Sequence, residues 1–215
     1  MQTLLPRLRV LALAAAVLPL VAAASSAAAQ VEPESITESG DGPAVPAARG
    51  GRPISLGLLL GAGVAFQDAN PWGFGFGVRG GYNLGPWFFG GRFVYHVGSS
   101  TEVTTDGLST AEISYSLWEL SGEAGYDFLL APKLVVRPNV GLGVLSVISS
   151  ADVPLFGGSL ESEGTNTHLL LAFGASALYD ITDMWFAGLD LRFPIGLGGD
   201  SVVGLTFYAN GGVRF

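Results

Sequence analysis

The sequence has no cysteine, which removes disulfide scaffolds, thiolate metal sites and cysteine nucleophiles together. Two histidines leave little for a zinc site or a histidine-based catalytic network. Charged residues make up 13% of the chain, about half the usual share of roughly 25%. The arginines are scattered and form no basic patch, so nothing favours a nucleic-acid partner. From Ile54 onward no stretch approaches 18 consecutive apolar residues, which excludes transmembrane helices there. What the chain does have is glycine, 32 positions in 215 residues, and a hydrophobic share of 49%. The glycines follow no Gly-X-Y period, so collagen is excluded, and the length suits one domain.

The first 29 residues read as a cleaved secretory signal. Arg7 and Arg9 form a positive start, Val10 to Ala24 is an apolar run broken only by Pro19, and small residues lead to Ala27-Ala28-Ala29. Cleavage after Ala29 leaves 8 basic against 18 acidic residues, a net charge of −10. Residues 30–53 carry Glu32, Glu34, Glu38, Asp41 and four prolines with no apolar period. Such a segment buries too little surface to offset its ordering entropy, and it reads as a disordered linker.

Residues 54–215 alternate with period two, the signature of strands. Eight such runs are expected: 54–66, 74–83, 87–97, 113–128, 134–145, 169–179, 185–193 and 203–215. In the fourth, Ile113, Tyr115 and Leu117 share the apolar face with Leu120, Gly122 and Ala124 only if the phase slips near Leu117-Trp118, which predicts a bulge there. One face of each run is large and apolar. The other collects glycine, asparagine and arginine.

An eight-stranded barrel has an interior just wide enough for side chains to fill, so the bulky face would overfill it. The apolar face must look outward into lipid, and runs of ten or more residues suit a tilted bilayer crossing. The expected fold is all-β: an eight-stranded antiparallel up-and-down transmembrane barrel with a filled polar lumen. The connections after the second, fourth and sixth runs are short, whereas 98–110 and 149–166 read as long loops, the asymmetry of periplasmic turns and outer loops. Trp87, Trp185, Tyr126 and Tyr179 near the turns and Phe66, Phe74, Tyr95 and Tyr115 near the loops are the expected aromatic girdles.

Over 54–215 the chain resembles the small eight-stranded outer-membrane barrels of the OmpA/OmpX type. Its closing Gly211-Gly212-Val213-Arg214-Phe215 is similar to the C-terminal signal which that family presents to the barrel-assembly machinery, with Val213 and Phe215 at the signal positions. The resemblance implies a bacterial outer-membrane location, with outer-membrane lipid and lipopolysaccharide as surroundings. It does not fix a role.

Among inward residues, Arg79, Arg92, Glu123, Arg137 and Asp190 lie at similar distances from their turns, with Glu119 and Arg192 a little higher. A charge in a dry lumen needs a partner. Neighbouring strands supply Arg92–Glu123 and Glu123–Arg137 pairs, and the set reads as an ionic network closing the lumen. A narrow gated pore is the alternative. Gly75 to Gly80 fits G-x-G-x-x-G, but no helix follows and the signal is set aside. Arg92 to Ser99 resembles the Arg/His/Ser stretch of outer-membrane lipid A deacylases, which makes a lipid hydrolase using His96 and Ser99 a further alternative. There, however, Gly98 stands where that family has its serine, and His96 falls in the inward phase. The outer loops hold Asp68, Glu102, Asp106, Asp152, Glu161, Glu163 and Asp200 with no lysine or arginine. Divalent cations are their natural partners. The reading is a non-enzymatic barrel with a structural or surface-interaction role, no cofactor and no resident metal. A soluble carrier is opposed by the outward apolar face.

Overall fold

The computed structural model of the protein describes residues 52–66, 70–105, 109–155, 158–199 and 201–215, with backbone alone for 101–105, 109–112, 152–155 and 158–161. The expected signal and linker lie outside these residues, apart from Arg52 and Pro53. Nine strands follow in order: β1 Ile54–Ala65, β2 Phe74–Leu84, β3 Trp87–Thr105, β4 Ser109–Tyr126, β5 Phe128–Ala131, β6 Leu134–Leu155, β7 Gly158–Asp180, β8 Trp185–Leu197 and β9 Val202–Arg214. All pairings are antiparallel, and β1 pairs β9 to close the sheet.

β4 and β5 form one stave. Both pair with β6, and the register runs from Gly125↔Asn139 to Phe128↔Val136 without a shift. The paired register skips Tyr126 and Asp127, opposite Pro138 and Arg137, and Pro138 has no N–H to give to the ladder. The result is a closed eight-stave barrel. Its seam is completed by Phe215 N donating to Ile54 O at 2.9 Å and Ile54 N to Phe215 O at 3.3 Å. At the first turn Gly85 adopts a φ of 58°, which the two-residue link between Leu84 and Trp87 requires.

Polarity is inverted, as the alternation predicts. Leu58 and Leu189 are 65% and 68% exposed, while Arg92 is 1% and Glu119 0% exposed. Lipid is the only solvent in which such an outer face is stable.

Three expectations need correction. The predicted bulge at Leu117-Trp118 is absent: β4 pairs β6 in unbroken register from Glu112 to Gly125. The irregularity lies instead in β3, between Val97 and Ser100. Leu117 therefore stays in phase with Glu119 and faces the lumen, fully buried beside Trp72, Leu145, Leu170 and Ala172. Tyr115 shares that inward phase and is no girdle residue, while Trp118 takes the outward phase with Leu120. Finally, the supposed long loops are mostly strand. β2 meets β3 only as far as Val97, and β8 meets β7 only from Leu169. Beyond those points β3, β4, β6 and β7 continue as a four-stranded sheet rising past the barrel rim, roughly 25 Å along β3 at ~3.3 Å per residue.

Glycines size the lumen by facing its largest side chains. A Cβ on Gly75 would lie 2.6 Å from His96 Cε1, and one on Gly141 2.8 Å from Arg192 Nη2. The imidazole would not fit beside an alanine wall, and the Arg192 guanidinium would have to shift to do so.

Candidate functional site

Inward positions of β2, β3, β4 and β8 converge on an ionic core. Arg79 and Arg92 stand directly opposite each other, a repulsive arrangement stable only with counter-charge between them. Two carboxylates supply it. Glu123 lies 2.8 Å from Arg79 Nε and 3.2 Å from Arg92 Nε, and Asp190 lies 3.1 Å from Arg79 Nη1 and 2.9 Å from Arg92 Nη2. Arg192 donates to Glu123 at 2.7 Å and to Ser121 at 2.9 Å, and stands 3.7 Å from Glu119. Asp190 also accepts from Ser176 and Asn210, each at 3.0 Å. Three arginines thus meet three carboxylates, all almost fully buried.

Arg137 is not placed where adjacency with Glu123 suggests. It takes Asp127 with two hydrogen bonds and stacks its guanidinium 3.8 Å from the Phe88 ring centroid. Two residues per step along the stave put Asp127 in the phase of Glu123, so sequence contained the signal. Arg214 does likewise with Asp180, over Phe186. These pairs line the turn end of the lumen, below the core.

Toward the loop end the lumen turns apolar and aromatic. Trp72, from the β1–β2 connection, is fully buried there and no strand pattern points to it. Its carbonyl bonds His96 Nδ1 at 2.9 Å, and its ring meets the imidazole edge-on at 5.3 Å. His96 Nε2 bonds the Tyr208 hydroxyl at 2.9 Å, so both ring nitrogens are engaged. Ser99 is exposed and donates its hydroxyl to Asn70 O at 3.2 Å. His96 and Ser99 therefore face different surroundings with different partners, a poor arrangement for a nucleophile and its base. Of the C-terminal residues, Val213 pairs with Leu56 and Trp185, and Phe215 is exposed to the lipid side.

The outer sheet carries a register the sequence does not reveal. Glu102 opposes Glu112, Glu112 opposes Asp152, and Asp152 opposes Glu161. One acidic residue from each strand thus stands in a single row, the outermost row in which all four strands pair. Glu163 is exposed two residues further along β7. Asp68, Asp106 and Asp200 lie outside the described residues.

The profile of the outer membrane protein beta-barrel domain family matches residues 12–215. The chain belongs to this family. It is a bacterial outer-membrane protein, and its inverted polarity, closed sheet and charged lumen are the family's architecture in this sequence. No curated protein matches it. Among solved structures it is similar to neisserial surface protein A, at 17% identity with 75% of this chain and 96% of that chain covered and a TM-score of 0.49. The attachment invasion locus protein Ail of Yersinia pestis, solved with the heparin analogue sucrose octasulfate, is similar at 16% identity over 76% and 97% of the two chains, with a TM-score of 0.44. A major outer membrane protein of Thermus thermophilus is similar at 15% identity over 75% and 99% of the two chains, with a TM-score of 0.48.

Proposed function

We propose that this outer-membrane barrel is a non-catalytic surface-interaction protein: the barrel anchors an acidic four-stranded sheet that engages lipopolysaccharide phosphates and other partners through bridging divalent cations. The observation that carries the reading is the row Glu102–Glu112–Asp152–Glu161. Like charges directly opposite each other destabilise a sheet, and three such register pairings in line call for counter-charge from outside. The loop end has no lysine or arginine of its own to supply it. The ionic core keeps the lumen closed, Val213 and Phe215 serve the assembly machinery, and nucleic acid is no partner.

Hydrogen exchange of the detergent-solubilised protein tests this. Millimolar calcium is expected to slow exchange of the amides flanking Glu102, Glu112, Asp152 and Glu161. Unchanged exchange there would sink the reading.

A second mode is favoured by β7. Among the described residues, its side away from β6 has no strand partner from Gly158 to Thr167, and that edge carries neither proline nor lysine. Natural sheets blunt exposed edges with those residues. An open edge beside acidic residues fits an extended partner segment with basic residues at alternate positions.

A further inference from the structure

We infer that the space filled by Trp72 is a binding pocket for a small primary amine with an aromatic body, with Glu119 as its counter-ion, opened when the Trp72 indole is displaced. Glu119 is fully buried and, among the described residues, neither of its carboxylate oxygens is hydrogen-bonded. Buried carboxylates in native structures are normally satisfied, so this one asks for an explanation. Its one ion-pair neighbour among the described residues is Arg192 at 3.7 Å, and Arg192 does not depend on it, having Glu123 at 2.7 Å and Ser121 at 2.9 Å. Glu119 thus makes the longest ion-pair contact of the core carboxylates and, among the described residues, no hydrogen bond.

Register places it one layer beneath the indole. Its cross-strand partner is Leu145 and its neighbour two residues back is Leu117, and both pack with Trp72, Leu170 and Ala172. The site therefore has apolar walls, Glu119 in the next layer of the stave, and the His96–Tyr208 hydrogen bond at one side. It is also wide enough for a ring. Cβ atoms on Gly63 and Gly204 would lie 2.8 Å from Trp72 Cβ and 2.5 Å from Trp72 Nε1. The indole N–H is buried without an acceptor among the described residues. Trp72 thus fills the pocket without using Glu119, and a ligand combining a ring with an ammonium group uses both.

Phenethylamine and 3-phenylpropionate, matched in shape and opposite in charge, are the probes. In a protein whose Trp87, Trp118 and Trp185 are replaced by phenylalanine, phenethylamine should raise acrylamide quenching of Trp72 while 3-phenylpropionate should not, and Glu119→Gln should abolish the response. In Trp72→Ala, calorimetry should show phenethylamine binding roughly 10–100-fold tighter than 3-phenylpropionate, the worth of a charged hydrogen bond, and Glu119→Gln should erase that preference. Equal or absent binding by a Trp72→Ala protein that keeps its heat-dependent gel shift would overturn the proposal, as would a preference that survives Glu119→Gln. Should Trp72→Ala not fold, the quenching experiment decides alone, and no amine-dependent change refutes it.

Discussion

Glu123→Gln is the sharpest perturbation of the lumen, because one carboxylate there serves Arg79, Arg92 and Arg192 at 2.8, 3.2 and 2.7 Å. The amide keeps the shape and removes the charge, leaving three buried arginines with two carboxylates. Removing one partner of a buried ion pair costs ~3–5 kcal/mol. Arg79 and Arg92 retain Asp190, but Arg192 is left with Glu119 at 3.7 Å, so ~4 kcal/mol is the expected loss. With a urea slope of ~2 kcal/mol per molar, the unfolding midpoint falls by about 2 M. Tryptophan fluorescence and the heat-dependent gel shift, followed in lipid vesicles against urea, report it. Glu119→Gln is the comparison: it also leaves three arginines with two carboxylates, but it breaks no hydrogen bond and only the 3.7 Å contact with Arg192, so its loss should be the smaller of the two. Replacing Glu123 and Arg192 together by apolar residues should recover much of the stability, since absent pairs leave no orphaned charge. A loss below ~1 kcal/mol for Glu123→Gln would mean that water solvates the arginines, and the closed ionic core would give way to a hydrated pathway.

Glycine substitutions should split by face. Gly75→Ala drives a methyl into His96, which two hydrogen bonds hold in place, and should cost ~1–3 kcal/mol in the same urea assay. Gly91→Ala, whose Cβ would come no nearer than 3.7 Å to Ser121 O, should stay within ~0.5 kcal/mol. Tyr208→Phe strands His96 Nε2 and should cost ~1–3 kcal/mol; a neutral result would deny the Tyr208–His96 bond. Ser99→Ala should leave lipid A acylation unchanged by mass spectrometry, and altered acylation would revive the hydrolase reading. Phe215→Ala should lower the fraction of protein assembled in cells while the detergent-refolded barrel stays intact; unimpaired assembly would remove Phe215 from the proposed signal.

Barrel architecture is legible in the sequence because period-two alternation and lipid-facing polarity are local properties, readable residue by residue along Ile54–Phe66 or Val203–Phe215. The errors arise where the outcome is set across strands. Leu117 looks like an outward residue because it is large and apolar, yet its stave keeps one phase and the lumen there is apolar. Only the contact with Trp72, Leu145 and Leu170 explains this, and Trp72 comes from a connection with no periodicity at all. Arg137 takes Asp127 rather than Glu123 because the register sets it opposite Asp127 while Glu123 faces Gly141, and the Phe88 ring stacks on its guanidinium. Residues 98–110 and 149–166 look like loops because they are polar. Strands of such composition have no apolar stripe to announce them.

Charge is sorted by environment with little remainder. Within 54–215 the basic residues are Lys133 and Arg79, Arg92, Arg137, Arg192 and Arg214. The five arginines lie in the lumen, matched by Glu119, Glu123, Asp127, Asp180 and Asp190. Lys133 and Asp183 sit at the turn end. Everything left over is acidic and at the loop end, where Glu102, Glu112, Asp152 and Glu161 align in register. Each directly opposed like-charge pair costs ~0.2–1 kcal/mol, so neutralising the row with E102Q, E112Q, D152N and E161Q should stabilise the outer sheet by ~1–3 kcal/mol. Amides flanking the row should then exchange more slowly without calcium, and calcium should add nothing further. If the neutralised sheet exchanges as the wild type does, the four residues do not repel one another, and bridging cations have no repulsion to relieve.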